Sequence, residues 1–311
     1  MTPPIGTATA SRLARVLALL FAGLALDARP ANLTNRNQTG TSSTPRSAKP
    51  PAVVTLAEGS KSGDWVLVVN STHDPTLPGH GQEFVPLARS ISRWKNLGAK
   101  QVWVANLTPK LVETQPRPLA IFFSGSFKDW CEVDRRHWRG AEKILKRGQI
   151  PIWASCGGAQ ALAILAETGT RKPWDCPHCR DPLRPRLPIY THIGHTHSGP
   201  HRCGDYSNCT FERGPHLVRK VGSDPVFAGL PENFEVMESH CGQIEFPPAG
   251  WRQIATAGEG TRTINQCLRW GDRPIYAAQF HIEMAGTPET SRTILSNFLT
   301  LAERWNQAAP R

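Results

Sequence analysis

Ile152-Trp153-Ala154-Ser155-Cys156-Gly157-Gly158-Ala159-Gln160-Ala161-Leu162-Ala163 is the stretch whose reading decides the fold. A β-rich run that begins at Ile150 passes into a helix-forming run with no spacer. The junction holds one cysteine and two glycines. Residues without bulk suit a tight strand-to-helix turn, which is the form of a nucleophile elbow. Such a turn sets the sulfur at the N-terminus of the following helix, where the helix dipole favours a thiolate. The backbone N–H after the cysteine is placed to stabilise an oxyanion. On this segment alone, a buried structural cysteine beside a glycine-rich turn reads equally well.

Outward from the elbow, short β-rich runs cover residues 65–69, 101–104, 119–123 and 275–280. A helical period covers residues 83–97, with Phe84, Leu87, Ala88, Ile91, Trp94 and Leu97 on one face and Gly98 as its cap. A second helix is expected over residues 132–147. Its basic cluster (Arg135, Arg136, Arg139, Lys143, Lys146, Arg147) reads as a solvated face. Strands that alternate with helices predict an α/β fold with a mainly parallel sheet flanked by helices. In such sheets ligands gather beyond the carboxyl ends of the strands.

A thiolate nucleophile needs a base, and an imidazole oriented by a carboxylate is the usual solution. His281-Ile282-Glu283 directly follows the strand over 275–280. Side chains at i and i+2 of an extended segment point the same way. His281 and Glu283 are therefore expected together at the same sheet edge as Cys156. An isolated His-x-Glu is common; its occurrence at a second strand end beside an elbow is not.

With these residues in place, the sequence resembles the class I glutamine amidotransferases. Ser155-Cys156-Gly157-Gly158-Ala159-Gln160 is similar to the family's Gly-x-Cys-x-Gly-x-Gln, and Ala278-Gln279-Phe280-His281-Ile282-Glu283 to its Val-Gln-Phe-His-Pro-Glu. Phe123-Ser124-Gly125-Ser126 is similar to the stretch that completes the oxyanion hole. The run from Asp224 to Pro231 and Glu238-Ser239-His240 also match, so the resemblance covers roughly residues 64–305. It implies a flavodoxin-like layering with Cys156 as nucleophile, His281 as base and Glu283 as its orienting acid. It further implies oxyanion N–H groups from Gly125 and Gly157, with Ser124 and Gln160 by the substrate amide and His240 at the pocket rim. The implied reaction is hydrolysis of glutamine or a γ-glutamyl amide through a thioester. Ile282 replaces the family proline, Ser126 a glycine, and Cys241 the glycine after the rim histidine.

The remainder of the chain reads as appendages and an insertion. Val16 to Leu26 is an apolar run preceded by Arg12 and Arg15, so residues 1–31 are expected to be a signal peptide cleaved near Ala28 or Ala31. Residues 32–62 read as a flexible linker, residues 63–305 as the catalytic domain, and residues 306–311 as a tail. The expected location is periplasmic or secreted, or cytoplasmic if that N-terminus is not an export signal. An insertion over residues 171–211 holds Cys176, Cys179, Cys203 and Cys209 with His178, His192, His195, His197 and His201. Four thiols at this spacing can close a zinc site or form two disulfides, and export favours disulfides. Cys131, Cys241 and Cys267 are left over. The implied chemistry requires no cofactor, and a structural zinc is the one metal suggested.

The chain of 311 residues carries a formal net charge of +11. Five of those charges precede residue 63, so the body keeps +6. No nucleic-acid motif accompanies the charge, and no apolar run is long enough to span a bilayer. The expected partners are a small-molecule amide and a synthetase acting in trans. An exported γ-glutamyl hydrolase with the same fold, or a non-catalytic binding domain on that fold, are the alternatives.

Overall fold

The computed structural model describes residues 53–59, 64–72, 85–93, 96–126, 129–171, 174, 190–192, 209–258, 264–284 and 286–308. The chain divides into two compact units, Met1–Ala48 and Lys49–Arg311; every described residue belongs to the second. The expected signal peptide lies outside the described residues, as do the insertion's Cys176, Cys179 and Cys203.

In chain order the strands are β1 (Val54–Ala57), β2 (Trp65–Asn70), β3 (Gly98–Trp103), β4 (Ile121–Phe123), β5 (Ile152–Ser155), β6 (Tyr190–His192), β7 (Glu212–Lys220), β8 (Asn233–His240), β9 (Gly242–Ile244), β10 (Trp251–Ala257), β11 (Ile264–Trp270) and β12 (Ile275–Ala278). The α-helices are α1 (Val85–Arg93), α2 (Pro109–Glu113), α3 (Arg139–Arg147), α4 (Gly157–Glu167) and α5 (Glu289–Ala308). Ten strands form one sheet in the order β1-β3-β2-β4-β5-β12-β11-β10-β7-β8, and β6 pairs with β9 apart from it.

The centre of the sheet, β3-β2-β4-β5-β12, is parallel. β2, β4, β5 and β12 are buried on both faces, so they read as near-continuous apolar runs such as Trp65-Val66-Leu67-Val68-Val69. Alternate residues feed two cores. Leu67, Val69, Ile121, Phe123, Ile152 and Ala154 meet α3 and α4 on one face. Val66, Val68, Phe122, Trp153 and Tyr276 meet Leu87 and Ile91 of α1 and Ile294 and Phe298 of α5 on the other. Helices on both faces of a parallel centre are the predicted architecture.

Several boundaries differ from the sequence reading. The sheet is mixed, because β11, β10, β7 and β8 extend it as an antiparallel wing and β1 pairs antiparallel with β3. The expected linker over 32–62 therefore contains an edge strand, and α5 runs three residues into the expected tail. The helix expected over 132–147 is α-helical only from Arg139. Asp134 accepts from the Arg136 N–H and holds the Arg136 guanidinium, which sets up a separate 3-10 turn over Arg135–Trp138. Gly98 does not cap α1; it is the first residue of β3, and Asn96 is the residue with positive φ, 57°. Among the described residues no helix is long and apolar enough to cross a membrane.

The antiparallel wing is tied to the centre by one buried carboxylate. Asp224 accepts from Arg269 Nη1 at 3.0 Å, Arg252 Nη2 at 2.9 Å, the Tyr276 hydroxyl at 3.2 Å and the Val226 N–H at 3.1 Å. Removing one member of a buried ion pair strands the other charge, at a cost of about 3–5 kcal/mol. Asp224→Ala should lower stability by that amount in urea denaturation. Arg252→Ala, whose side chain is 43% exposed, should cost under about 1 kcal/mol. Equal losses in the two variants would contradict this ranking.

Candidate active site

Cys156 sits between β5 and α4 with φ 48° and ψ −117°. A non-glycine residue with positive φ is strained by about 1–3 kcal/mol, and such strain persists only where the surroundings over-determine it. Here they do. The Cys156 N–H donates to Ala278 O of β12 at 2.8 Å, and Cys156 O accepts from the Gln160 N–H at 3.0 Å. The next two residues must be glycine. A Cβ on Gly157 would lie 2.4 Å from Ser126 N, and one on Gly158 would lie 2.5 Å from Ser124 O. The segment after β4 is thus pressed onto the first turn of α4. That turn has unpaired N–H groups by construction, which makes it a site for developing negative charge.

Gly125 faces the sulfur from that segment. A Cβ there would lie 3.8 Å from Cys156 Sγ and 3.1 Å from His281 Cε1. Ser124 does not present its hydroxyl to the site. Its Oγ accepts from the Ser71 N–H at 2.9 Å and donates to Gly125 O at 3.0 Å, so it shapes the loop.

β12 is the parallel neighbour of β5, with Ala278 in register with Ser155. The chain beyond it therefore arrives beside Cys156. His281 Nδ1 donates to Glu283 Oε1 at 2.6 Å, and Glu283 Oε2 accepts from the Ile282 N–H at 3.0 Å. Because Nδ1 carries the proton for the carboxylate, Nε2 is the atom left to exchange one with the thiol. Burial disfavours a charged His281, but Glu283 and the adjacent Cys156 outweigh it and raise its pKa well above the usual imidazole value. Burial likewise opposes ionisation of Glu283, and the His281 charge and hydrogen bond reverse this and hold its pKa low.

Gln160 is buried in a closed network. Its Oε1 accepts from Trp130 Nε1 at 3.0 Å, and its Nε2 donates to Gly242 O at 2.9 Å and Gln279 Oε1 at 3.2 Å. With the amide committed to the protein, Gln160 braces the elbow helix against β9 rather than reaching into the site.

His240 lies near Cys156. The carbonyl of its neighbour Ser239 is 3.8 Å from Cys156 Sγ. His240 Nε2 is 2.8 Å from Glu212 Oε2 and 3.1 Å from Glu238 Oε2, and Nδ1 is 2.9 Å from Gly242 O. Burial disfavours the imidazolium, but the two carboxylates raise its pKa to about 10. Burial raises the Glu238 pKa. For Glu212 burial acts in the same direction but is outweighed by His240, and the pKa is lowered. Among the described residues these three form a cluster able to hold a metal, with ligand atoms all within 4.8 Å of one another. Glu212 carries no sequence signal of this role, since only the β7–β8 register, Glu212 opposite His240, brings it there.

The thiols separate in role. Burial, then neighbouring Cys209, pushes the Cys241 thiol up to about 12, so Cys241 is a neutral thiol near pH 7. Cys267 is fully buried, and burial raises its pKa well above the usual thiol value. Cys209, expected to share a metal or disulfide site with Cys176, Cys179 and Cys203, lies beside Cys241. Elsewhere, Arg135, Arg136, Arg139, Lys143 and Lys146 line a depression of about 550 Å³ together with Glu142, Thr170 and Arg171.

Comparison with known proteins gives consistent results. The family model for glutamine amidotransferase class-I matches residues 88–301. The glutamine-hydrolyzing GMP synthase of Thermosipho africanus is 39% identical over 85 residues, 27% of this chain and 16% of that protein. A glutamine-hydrolyzing GMP synthase subunit of Pyrococcus abyssi is 33% identical over 84 residues, 27% of this chain and 43% of that protein. The matched stretch thus spans less than half the length of either relative. A solved structure described as a GMP synthase subunit from Thermoplasma acidophilum is similar in fold, with TM-score 0.52 and 19% identity over 78% of this chain and 96% of that one.

The carboxylate of Glu283 is the main source of the upward shift at His281. In Glu283→Gln, the His281 ring titration followed by NMR should therefore move to lower pH than in the unsubstituted protein. An unchanged titration would show that Glu283 does not govern the imidazole.

Proposed function

We propose, from the premise that this chain belongs to the class-I glutamine amidotransferase family, that it hydrolyses glutamine or a γ-glutamyl amide with Cys156 as nucleophile. The observation that carries this reading is the convergence of the Cys156 elbow, Gly125 and the His281–Glu283 pair at one end of β5 and β12.

The geometry supports the following chemistry. His281 Nε2 takes the Cys156 proton, and the thiolate attacks the amide carbon. The oxygen of the tetrahedral intermediate becomes negative beside the N–H groups of Gly125 and Gly157, each such donor being worth about 3–4 kcal/mol in comparable sites. The imidazolium, held in place by Glu283, then protonates the departing nitrogen, and ammonia leaves. Water, deprotonated by His281, attacks the thioester. The acid is released and the thiol re-forms.

The relatives named GMP synthase, one of which is a separate subunit, support a reading in which the ammonia passes to a synthetase in trans. One observation favours a second reading, an exported γ-glutamyl hydrolase without such a partner: the run Val16 to Leu26 behind Arg12 and Arg15 has the form of an export signal.

Incubating the purified chain with L-glutamine, and separately with γ-glutamyl dipeptides, tests both. Release of ammonia and glutamate from glutamine is expected, and Cys156→Ala should reduce turnover by about 10³-fold or more. Turnover of γ-glutamyl peptides in preference to glutamine would select the second reading. Unreduced turnover in Cys156→Ala would overturn both.

A further inference from the structure

The cluster of Glu212, Glu238 and His240 is not needed for the chemistry above, and it sets two acids against one base. Glu238 and His240 alternate along β8 and so share its buried face, and Glu212 pairs with His240 across the β7–β8 ladder. Glu238 is 1% exposed, yet neither of its carboxylate oxygens has a hydrogen-bond partner. The nearest base is His240, whose Nε2 is 3.1 Å from Glu238 Oε2 and 2.8 Å from Glu212 Oε2, so both acids share it. A buried carboxylate without a hydrogen bond is costly, and one imidazole has to serve two such acids here.

The orienting groups are those of a coordination site. His240 Nδ1 meets the Gly242 carbonyl at 2.9 Å and so carries a hydrogen, which leaves Nε2 as the ring atom able to ligate a metal once its own proton is released. Gln266 Nε2 donates to Glu212 Oε2 at 3.1 Å and fixes that carboxylate. We propose that Glu212, Glu238 and His240 bind a divalent transition-metal ion of the zinc class, which neutralises the two carboxylates. One nitrogen and two carboxylate ligands suit such an ion, and three protein ligands leave a position for water. On binding, any proton on Nε2 is released to solvent as the metal–nitrogen bond forms. The ion would lock the end of β8, whose Ser239 carbonyl rests 3.8 Å from Cys156 Sγ, against the nucleophile. The proposal does not depend on which amide is hydrolysed.

The test is metal analysis of the full chain. After loading with zinc and dialysis, elemental analysis should find one zinc bound through this cluster. Glu238→Gln and Glu212→Gln, each checked for folding by circular dichroism, should lose that zinc. Gln266→Ala should weaken binding by about 10- to 100-fold. Cys176→Ser/Cys179→Ser should keep the cluster's zinc, which separates it from a thiolate site in the insertion. Cobalt substituted into that cysteine variant should give d–d bands without thiolate charge transfer. Zinc at the buffer blank in the unsubstituted chain, or zinc lost with the cysteines and kept in Glu238→Gln, would overturn the assignment.

Discussion

The structure turns on one close approach between two backbone segments. The loop after β4 lies so near the first turn of α4 that neither Gly157 nor Gly158 has room for a methyl group. This contact holds Cys156 at φ 48° and sets Gly125 beside its sulfur. The strained backbone is fixed further by Ala278 O of the neighbouring parallel strand. The parallel pairing of β5 with β12 then determines where His281 arrives. Cys156, Gly125 and His281 are thus placed by backbone geometry, and their side chains need little freedom of their own.

A second theme is how buried charge is managed. Glu283 is balanced by His281 and by the Ile282 N–H. Asp224 is balanced by Arg269 and Arg252 and ties the antiparallel wing to the centre. Glu212, Glu238 and His240 contain more acid than base, and the carboxylate of Glu238 is left without a hydrogen bond. Stable interiors satisfy such groups, and this imbalance beside Cys156 is what the proposed metal ion answers.

What was legible in the sequence was what is local in the chain. The elbow shows itself because a strand run meets a helix run with only Cys156 and two glycines between them. His281 and Glu283 show themselves because an i, i+2 spacing puts both on one side of an extended segment. The antiparallel wing is not legible, since β7, β8 and β10 mix polar and charged residues with apolar ones and carry a weaker signal than the buried centre. Glu212 could not be found without the cross-strand register that sets it against His240. The helical period over 132–147 misleads for a local reason, because Asp134 competes for the backbone and for Arg136. Gln160 has the motif position of a substrate contact, but three protein partners consume its amide, which only packing could reveal.

The central claim, that Cys156 is the nucleophile by virtue of its backbone setting, is tested most directly by covalent trapping. A glutamine analogue with an electrophilic diazoketone in place of the side-chain amide should label the protein once per chain. Peptide mapping should place the label on Cys156, with Cys241 and Cys209 unmodified. Label on Cys241 or Cys209 instead, or no label in a preparation that hydrolyses glutamine, would contradict the account.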